Sequence, residues 1–210
     1  MTEIQKNMQQ LISKEELDKA FDSRFPKEMQ TKLREAKVAI AGLGGLGSNI
    51  AVMLARSGVG QLLLVDFDVV DVTNLNRQMY CIQHLGKPKA QALPEILYQI
   101  NPYINCQSRC VKVTEKNIQE LFLEYPIVCE AFDKPDQKAM LVREVLSRCP
   151  DTTVVSGNGM AGYGDANEIQ TFRKLSRLYV CGDLHSDVNN GLGLMAPRVA
   201  VCAAHEANKV

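Results

Sequence analysis

The stretch "VAIAGLGGLGSNIAVMLARSG", residues 38–58, decides the fold. An apolar strand-like run enters a group of glycines, and the glycines open onto a helical pattern. Gly42, Gly44 and Gly47 make G-x-G-x-x-G, with Gly45 and Leu46 between them. Glycine allows the tight turn and lets backbone N–H groups approach phosphate oxygens, and the helix N-terminus adds partial positive charge. In this context the five residues read as a phosphate-binding loop. The motif alone does not choose between NAD and ATP. Asp66 closes the next strand, "QLLLVD" (61–66), where a carboxylate can accept hydrogen bonds from a ribose. Both nucleotides carry one.

Working outward, strand and helix patterns alternate. "KVAIAG" (37–42), "QLLLVD", "INCQSRCVKV", "PIVCEAF" (126–132) and "TTVVSG" read as strands. Helices are expected from Gly45 to about Gly58, near 86–100, over "KNIQELFLEY", over "PDQKAMLVREVLSRC" and over "APRVAVCAAHEANK". "EIQTF" and "RLYVCG" read as shorter, less buried strands. This alternation predicts an α/β fold, a doubly wound Rossmann-like and mostly parallel sheet with helices on both faces. The last third is expected to add a small antiparallel extension. Residues 1–210 read as one nucleotide-binding domain, with a helical segment at 1–35 and the core at 36–210. In the former, Ser13 and Glu16 have capping-box spacing within "ISKEELDKAFDSRF".

Composition narrows the classes. The 210 residues carry 24 basic and 24 acidic side chains, a net charge of zero. That argues against a nucleic-acid or anionic-membrane partner, which calls for a basic patch. The N-terminal "MTEIQKNMQQ" lacks the apolar core of a signal peptide, and no apolar run is long enough to span a bilayer. With seven scattered cysteines, the expectation is a cytoplasmic chain with reduced thiols. Cys106 and Cys110 should share one strand face, and Cys181 with His185 makes at most half of a metal site.

The decisive residues lie beyond the loop. "LVDFDVVDVTNLNRQ" and "GKPK" place Asp68, Asn74, Asn76, Arg77, Gln78, Lys87 and Lys89 beside it. Arginine makes forked phosphate contacts, lysine supplies a point charge and asparagine adds neutral donors. Such a set suits a triphosphate and the extra charge of a pentavalent phosphorus better than it suits hydride transfer. Asp71 reads as a solvated loop residue. Asp133, after the fourth strand, has the place and chemistry of a magnesium ligand or, equally at a strand end, of a helix cap.

"GLGGLG", "LVDFDVVDVTNLNRQ", "GKPK" and "GLMAPRVA" together resemble the ubiquitin-activating-enzyme superfamily, and within it the ThiF- and MoeB-like sulfur-carrier adenylyltransferases, over roughly residues 24–210. The resemblance implies that a small ubiquitin-like carrier with a Gly-Gly C-terminus is the partner. Its carboxylate would attack the α-phosphorus of ATP and release pyrophosphate, with thiamine biosynthesis as the expected setting. It assigns Asp66 to the ribose, Asn74, Arg77 and Lys89 to phosphates, and Asp133 to Mg2+. It also sends Arg24 into the neighbouring site of a homodimer. The sequence departs from the family in three places. The paired C-x-x-C motifs are missing, so no zinc site is expected; the position of a cysteine found in some relatives falls near Asn189; and "FDK" with Lys134 replaces "TDN". The alternatives are an NAD-dependent oxidoreductase and a non-catalytic adaptor for nucleotide or carrier.

Overall fold

The computed structural model describes residues 2–210. Three helices come first: α1 (Glu3–Leu11), α2 (Lys14–Asp22) and α3 (Lys27–Glu35). The core follows as β1 (Lys37–Ala41), α4 (Gly45–Arg56), β2 (Gln61–Val65), α5 (Lys89–Ile100), β3 (Asn105–Arg109), α6 (Ile118–Phe122) and β4 (Ile127–Glu130). It ends with α7 (Pro135–Arg148), β5 (Thr153–Gly157), β6 (Gln170–Leu175), β7 (Leu178–Gly182) and α8 (Ala196–Lys209). The seven strands form one sheet in the order β3-β2-β1-β4-β5-β7-β6.

The expected doubly wound arrangement is present. Side chains of a strand alternate between faces, and the core divides accordingly. Val38 and Ile40 of β1 pack with Ile50 and Leu54 of α4, Leu93 and Leu97 of α5 and Val199 of α8. Ala39 and Ala41 of the same strand pack with Ile118 and Phe122 of α6 and Leu141 and Val145 of α7.

Several boundaries differ from the sequence reading. The antiparallel extension is the single strand β6, because β7 lies parallel to β5 and only β6 turns back against it. The run at "INCQSRCVKV" is paired only over Asn105–Arg109, so Cys110 falls outside the strand and does not share a face with Cys106 as expected. The helix near 86–100 begins at Lys89, since Gly86 sits at φ +78 and closes a turn against Val70. The helical run at "KNIQELFLEY" is reduced to Ile118–Phe122. No helix among the described residues is long and apolar enough to cross a membrane.

The strand order reverses between β1 and β4, where ligands of such sheets bind at the C-terminal strand ends. Gly42 sits there with φ +90, and a Cβ on it would lie 2.7 Å from the Ala131 carbonyl oxygen. Glycine is therefore required for the two strand ends to meet.

Candidate functional site

A cavity of about 800 Å³ opens over these strand ends. That is the size of a site for a nucleotide or a drug-sized ligand. Its wall includes Gly42, Gly44, Gly45 and Leu46, together with Asp66, Asp68, Asn74, Arg77, Lys89 and Asp133. Gly47 lies just behind, where a Cβ would collide with the Gly42 carbonyl. The fold thus brings together the loop, the expected ribose carboxylate, the expected phosphate ligands and the expected magnesium ligand.

Asp66 is buried, and its two oxygens tie the strand end to the loop. One accepts from the Leu43 N–H at 2.7 Å and the other from the Asp68 N–H at 2.8 Å. Burial raises its pKa, against the opposing pull of those amides and of Lys89. Each oxygen keeps a second lone pair. Tyr80 fixes the loop from the other side, its hydroxyl donating to the Leu43 carbonyl at 2.9 Å.

Arg77 is carried on the turn that follows the short 3-10 segment Val72–Asn74. Asn49 of α4 holds that turn, its side-chain amide donating to the Gly45 carbonyl at 2.7 Å and to the Arg77 carbonyl at 3.2 Å. The guanidinium donates to the Thr73 carbonyl at 3.1 Å and to Asn76 Oδ1 at 2.7 Å, both neutral acceptors. It has no ion pair among the described residues, so its charge is available to a ligand. Asn74 uses its side-chain oxygen to accept from the Asp71 N–H, and Asp71 in turn caps the segment through Thr73. Lys89 is 6% exposed and pairs with Asp68 at 3.1 Å. An ammonium has three N–H donors, so two remain. Asp133 is exposed in the cavity wall and makes no side-chain hydrogen bond among the described residues, which leaves a hard oxygen ligand free.

Other expected residues lie elsewhere. Lys87 pairs with Glu95 at 2.9 Å and does not line the cavity. Arg24 is exposed in the turn between α2 and α3, away from the cavity of its own chain. Cys181 is buried against Thr171, whereas His185 is exposed on Asp183, so they form no pair. Asn189 does line the cavity.

Sequence reasoning missed a buried polar cluster behind the cavity. Glu130 accepts from Ser156 Oγ at 2.5 Å and from the Phe132 N–H at 2.8 Å, and pairs with Lys138 at 2.8 Å. Glu206 of α8 is fully buried, with no hydrogen-bond partner on either oxygen among the described residues. A carboxylate at the end of the apolar run "IVCE" was the one available signal. Among the described residues, one trio of possible metal ligands lies together: Glu168, Asp183 and His185. The Arg198 guanidinium already sits on both of its carboxylates, so half of their charge is offset from within.

Fold and cavity define a doubly wound α/β protein with two cationic side chains, Arg77 and Lys89, and the carboxylate of Asp133 in one cavity at the strand ends. Comparison then places it: the ThiF family model matches residues 17–209, and the chain belongs to that family. It is similar to the molybdopterin-synthase adenylyltransferase of Haemophilus influenzae, 35% identical over 159 residues that cover 71% of this chain and 64% of that one. It is 38% identical to the tRNA threonylcarbamoyladenosine dehydratase of Bacillus subtilis over 150 residues, 69% of this chain and 57% of that one. The chain thus spans about three fifths of the length of these curated relatives. Its fold matches the ATP complex of the Escherichia coli tRNA N6-threonylcarbamoyladenosine dehydratase, with a TM-score of 0.82, 24% identity and coverage of 91% and 90%.

Proposed function

We propose that the protein activates a substrate carboxylate by adenylation, the substrate being the C-terminal glycine of a small ubiquitin-like sulfur carrier ending in Gly-Gly. The observation that carries this reading is the uncompensated Arg77 beside the glycine loop and Lys89, in one cavity with the unpartnered Asp133. A carboxylate is a nucleophile at neutral pH and needs no general base. Its oxygen would form a bond to the α-phosphorus as the bond to the pyrophosphate oxygen breaks. Positioning and charge neutralisation then carry the rate. Asp66 would hold the ribose, with Asp68 fixing Lys89. Asn74, Arg77, Lys89 and the loop from Gly42 to Gly47 would hold phosphates. Mg2+, held by Asp133, would neutralise phosphate charge.

The adenylyltransferase name of one relative supports the reaction class. Within the proposal, residues 1–210 act as one nucleotide-binding domain in the cytoplasm, thiamine biosynthesis is the setting, and Arg24 completes the site of a partner subunit in a homodimer. The tRNA dehydratase relatives favour a second reading, in which the same ATP site activates the carboxylate of a threonylcarbamoyl group. The balanced charge of this chain supports the protein carrier over a polyanion.

Exchange of radiolabelled pyrophosphate into ATP tests the proposal. Exchange that requires a Gly-Gly-ending carrier is expected. Exchange only with threonylcarbamoylated tRNA would select the second reading, and NADH binding without any exchange would overturn both.

A further inference from the structure

Part of the cavity wall is not supplied by the glycine loop, Asp66, Arg77 or Lys89. It comes from residues 157–161, after β5, and from residues 186–189, after β7. Both segments are tied to one side chain, Arg198, in the first turn of α8.

Arg198 is 5% exposed. Its Nη1 donates to the Asp165 carbonyl at 2.7 Å, and its Nη2 reaches Asp183 Oδ2 at 2.5 Å and Glu168 Oε2 at 3.4 Å. Asp183 passes the constraint on: its other oxygen accepts from the N–H groups of His185 at 2.9 Å and Ser186 at 2.8 Å, and its own N–H donates to the Gly159 carbonyl at 2.9 Å. Ser186 Oγ accepts from the Ala161 N–H at 3.0 Å. Between them Leu184 is held at φ +67, a left-handed conformation that a bulky non-glycine residue adopts only when its surroundings enforce it. A small cavity of about 290 Å³ lies over Arg198 and Asp183, and shares Ala161 and Ser186 with the main one.

The guanidinium therefore supports the part of the wall that the glycine loop does not supply, and makes no hydrogen bond to a group assigned to the nucleotide. We infer that Arg198 is a positioning residue for the carboxylate substrate, holding the 157–161 and 183–189 segments in register so that the acyl group meets the α-phosphorus. This rests on the adenylation reading. Lysine cannot reproduce it, because one ammonium cannot span a carbonyl and two carboxylates as the planar fork does.

The test compares wild type, Arg198→Lys and the double variant Arg198→Met/Asp183→Asn, which leaves no buried charge unpaired. Three readouts are taken: ATP dissociation constant by calorimetry, KM for a recombinant Gly-Gly-ending carrier in pyrophosphate exchange, and amide hydrogen exchange. Both variants are expected to bind ATP within twofold of wild type and to raise the carrier KM at least tenfold. Protection should be lost at Ala161, His185 and Ser186 but kept at Leu43. Equal losses of ATP and carrier affinity, or a carrier KM within twofold of wild type, would overturn the assignment. A wild-type protein that binds ATP but shows no carrier-dependent exchange would instead overturn the adenylation reading itself.

Discussion

Replacing Glu206 by glutamine should stabilise the protein at neutral pH and not at acid pH. The carboxyl is fully buried behind Gly157 and Leu46, and neither oxygen has a hydrogen-bond partner among the described residues. The nearby ammonium, Lys138, is already claimed by Glu130 at 2.8 Å, so two carboxyls face one cation. Burial is the main cause that pushes the Glu206 pKa well above 4.5; Lys138 pulls against it and Glu130 adds to it. The sign follows by linkage. The folded state keeps a proton that the unfolded chain loses above its ordinary carboxyl pKa, so stability falls as pH rises from there, by about 1.4 kcal/mol per pH unit for as long as the folded state stays protonated. A glutamine escapes that loss. The gap therefore widens by about 1.4 kcal/mol, on the order of 3–6 °C in Tm for a chain of this size, for each pH unit above the unfolded value over which the folded state stays protonated. Thermal melts of both proteins at half-unit steps from pH 4.5 to 8 measure it. The curves should converge at the acid end and diverge upward. A constant gap, or a glutamine variant that loses stability as pH rises, would show that Glu206 is an ionised partner of Lys138 and refute the argument.

Three further outcomes are expected. Arg77→Ala should leave Tm within about 1 °C, since the side chain makes bonds only to its own turn, yet lower the exchange rate by two to three orders of magnitude, about 3–4 kcal/mol of transition-state stabilisation; near-normal exchange would remove Arg77 from the phosphate site. Gly157→Ala should cost about 1–3 kcal/mol by overpacking, because the new Cβ would lie 2.5 Å from Glu206 Oε1 and collide with Leu46 at the start of α4, and calorimetry should show weaker ATP binding alongside the lower Tm. Asp183→Asn should destabilise at neutral pH by an amount that shrinks as pH falls below 3.8. Burial of Asp183 is outweighed by its bonds from Ser186, His185 and Arg198, so its pKa is depressed, and the stability it contributes is present above the unfolded value and lost on acidification.

The parts legible in the sequence were those written in local pattern. Ser13 and Glu16 do form the reciprocal cap, at 3.2 and 3.0 Å, and α8 spans "APRVAVCAAHEANK" from end to end. The direction of β7 was not legible, because alternation of apolar residues marks a strand without saying which way its neighbour runs. α1 and α3 bury no residue fully and each packs only a partly buried side chain, Ile4 and Leu33, against the core; α1 is also held by Gln5 and Gln9 donating to the Pro102 carbonyl, a contact between distant parts of the chain. Lys87 and Lys89 looked equivalent in "GKPK". The turn at Gly86 and the start of α5 send one to Glu95 and the other to Asp68, and only the second faces the cavity. Arg198 and Glu206 were invisible for a related reason: each is a polar residue whose meaning comes from groups that the fold brings in from other segments.

The same geometry explains why fold and site are hard to separate in this chain. The reversal of strand order between β1 and β4 opens a crevice, and Gly42 lets the loop lie against Ala131 at its base. Asp66, from the end of β2, bonds to the amide of Leu43 in that loop, and Tyr80 bonds to the Leu43 carbonyl, so one peptide of the loop is fixed from two sides. Asn49 then fixes the turn bearing Arg77 to the helix that the loop begins. Each group assigned to the nucleotide is thus positioned by backbone that is itself hydrogen-bonded before any ligand arrives. A reaction in which a carboxylate is already nucleophilic gains most from such preorganisation, since little remains to be supplied except placement and charge. A hydride transfer builds no new charge at phosphorus for Arg77 to meet, whereas an attack on the α-phosphorus does, and the guanidinium has no ion pair among the described residues.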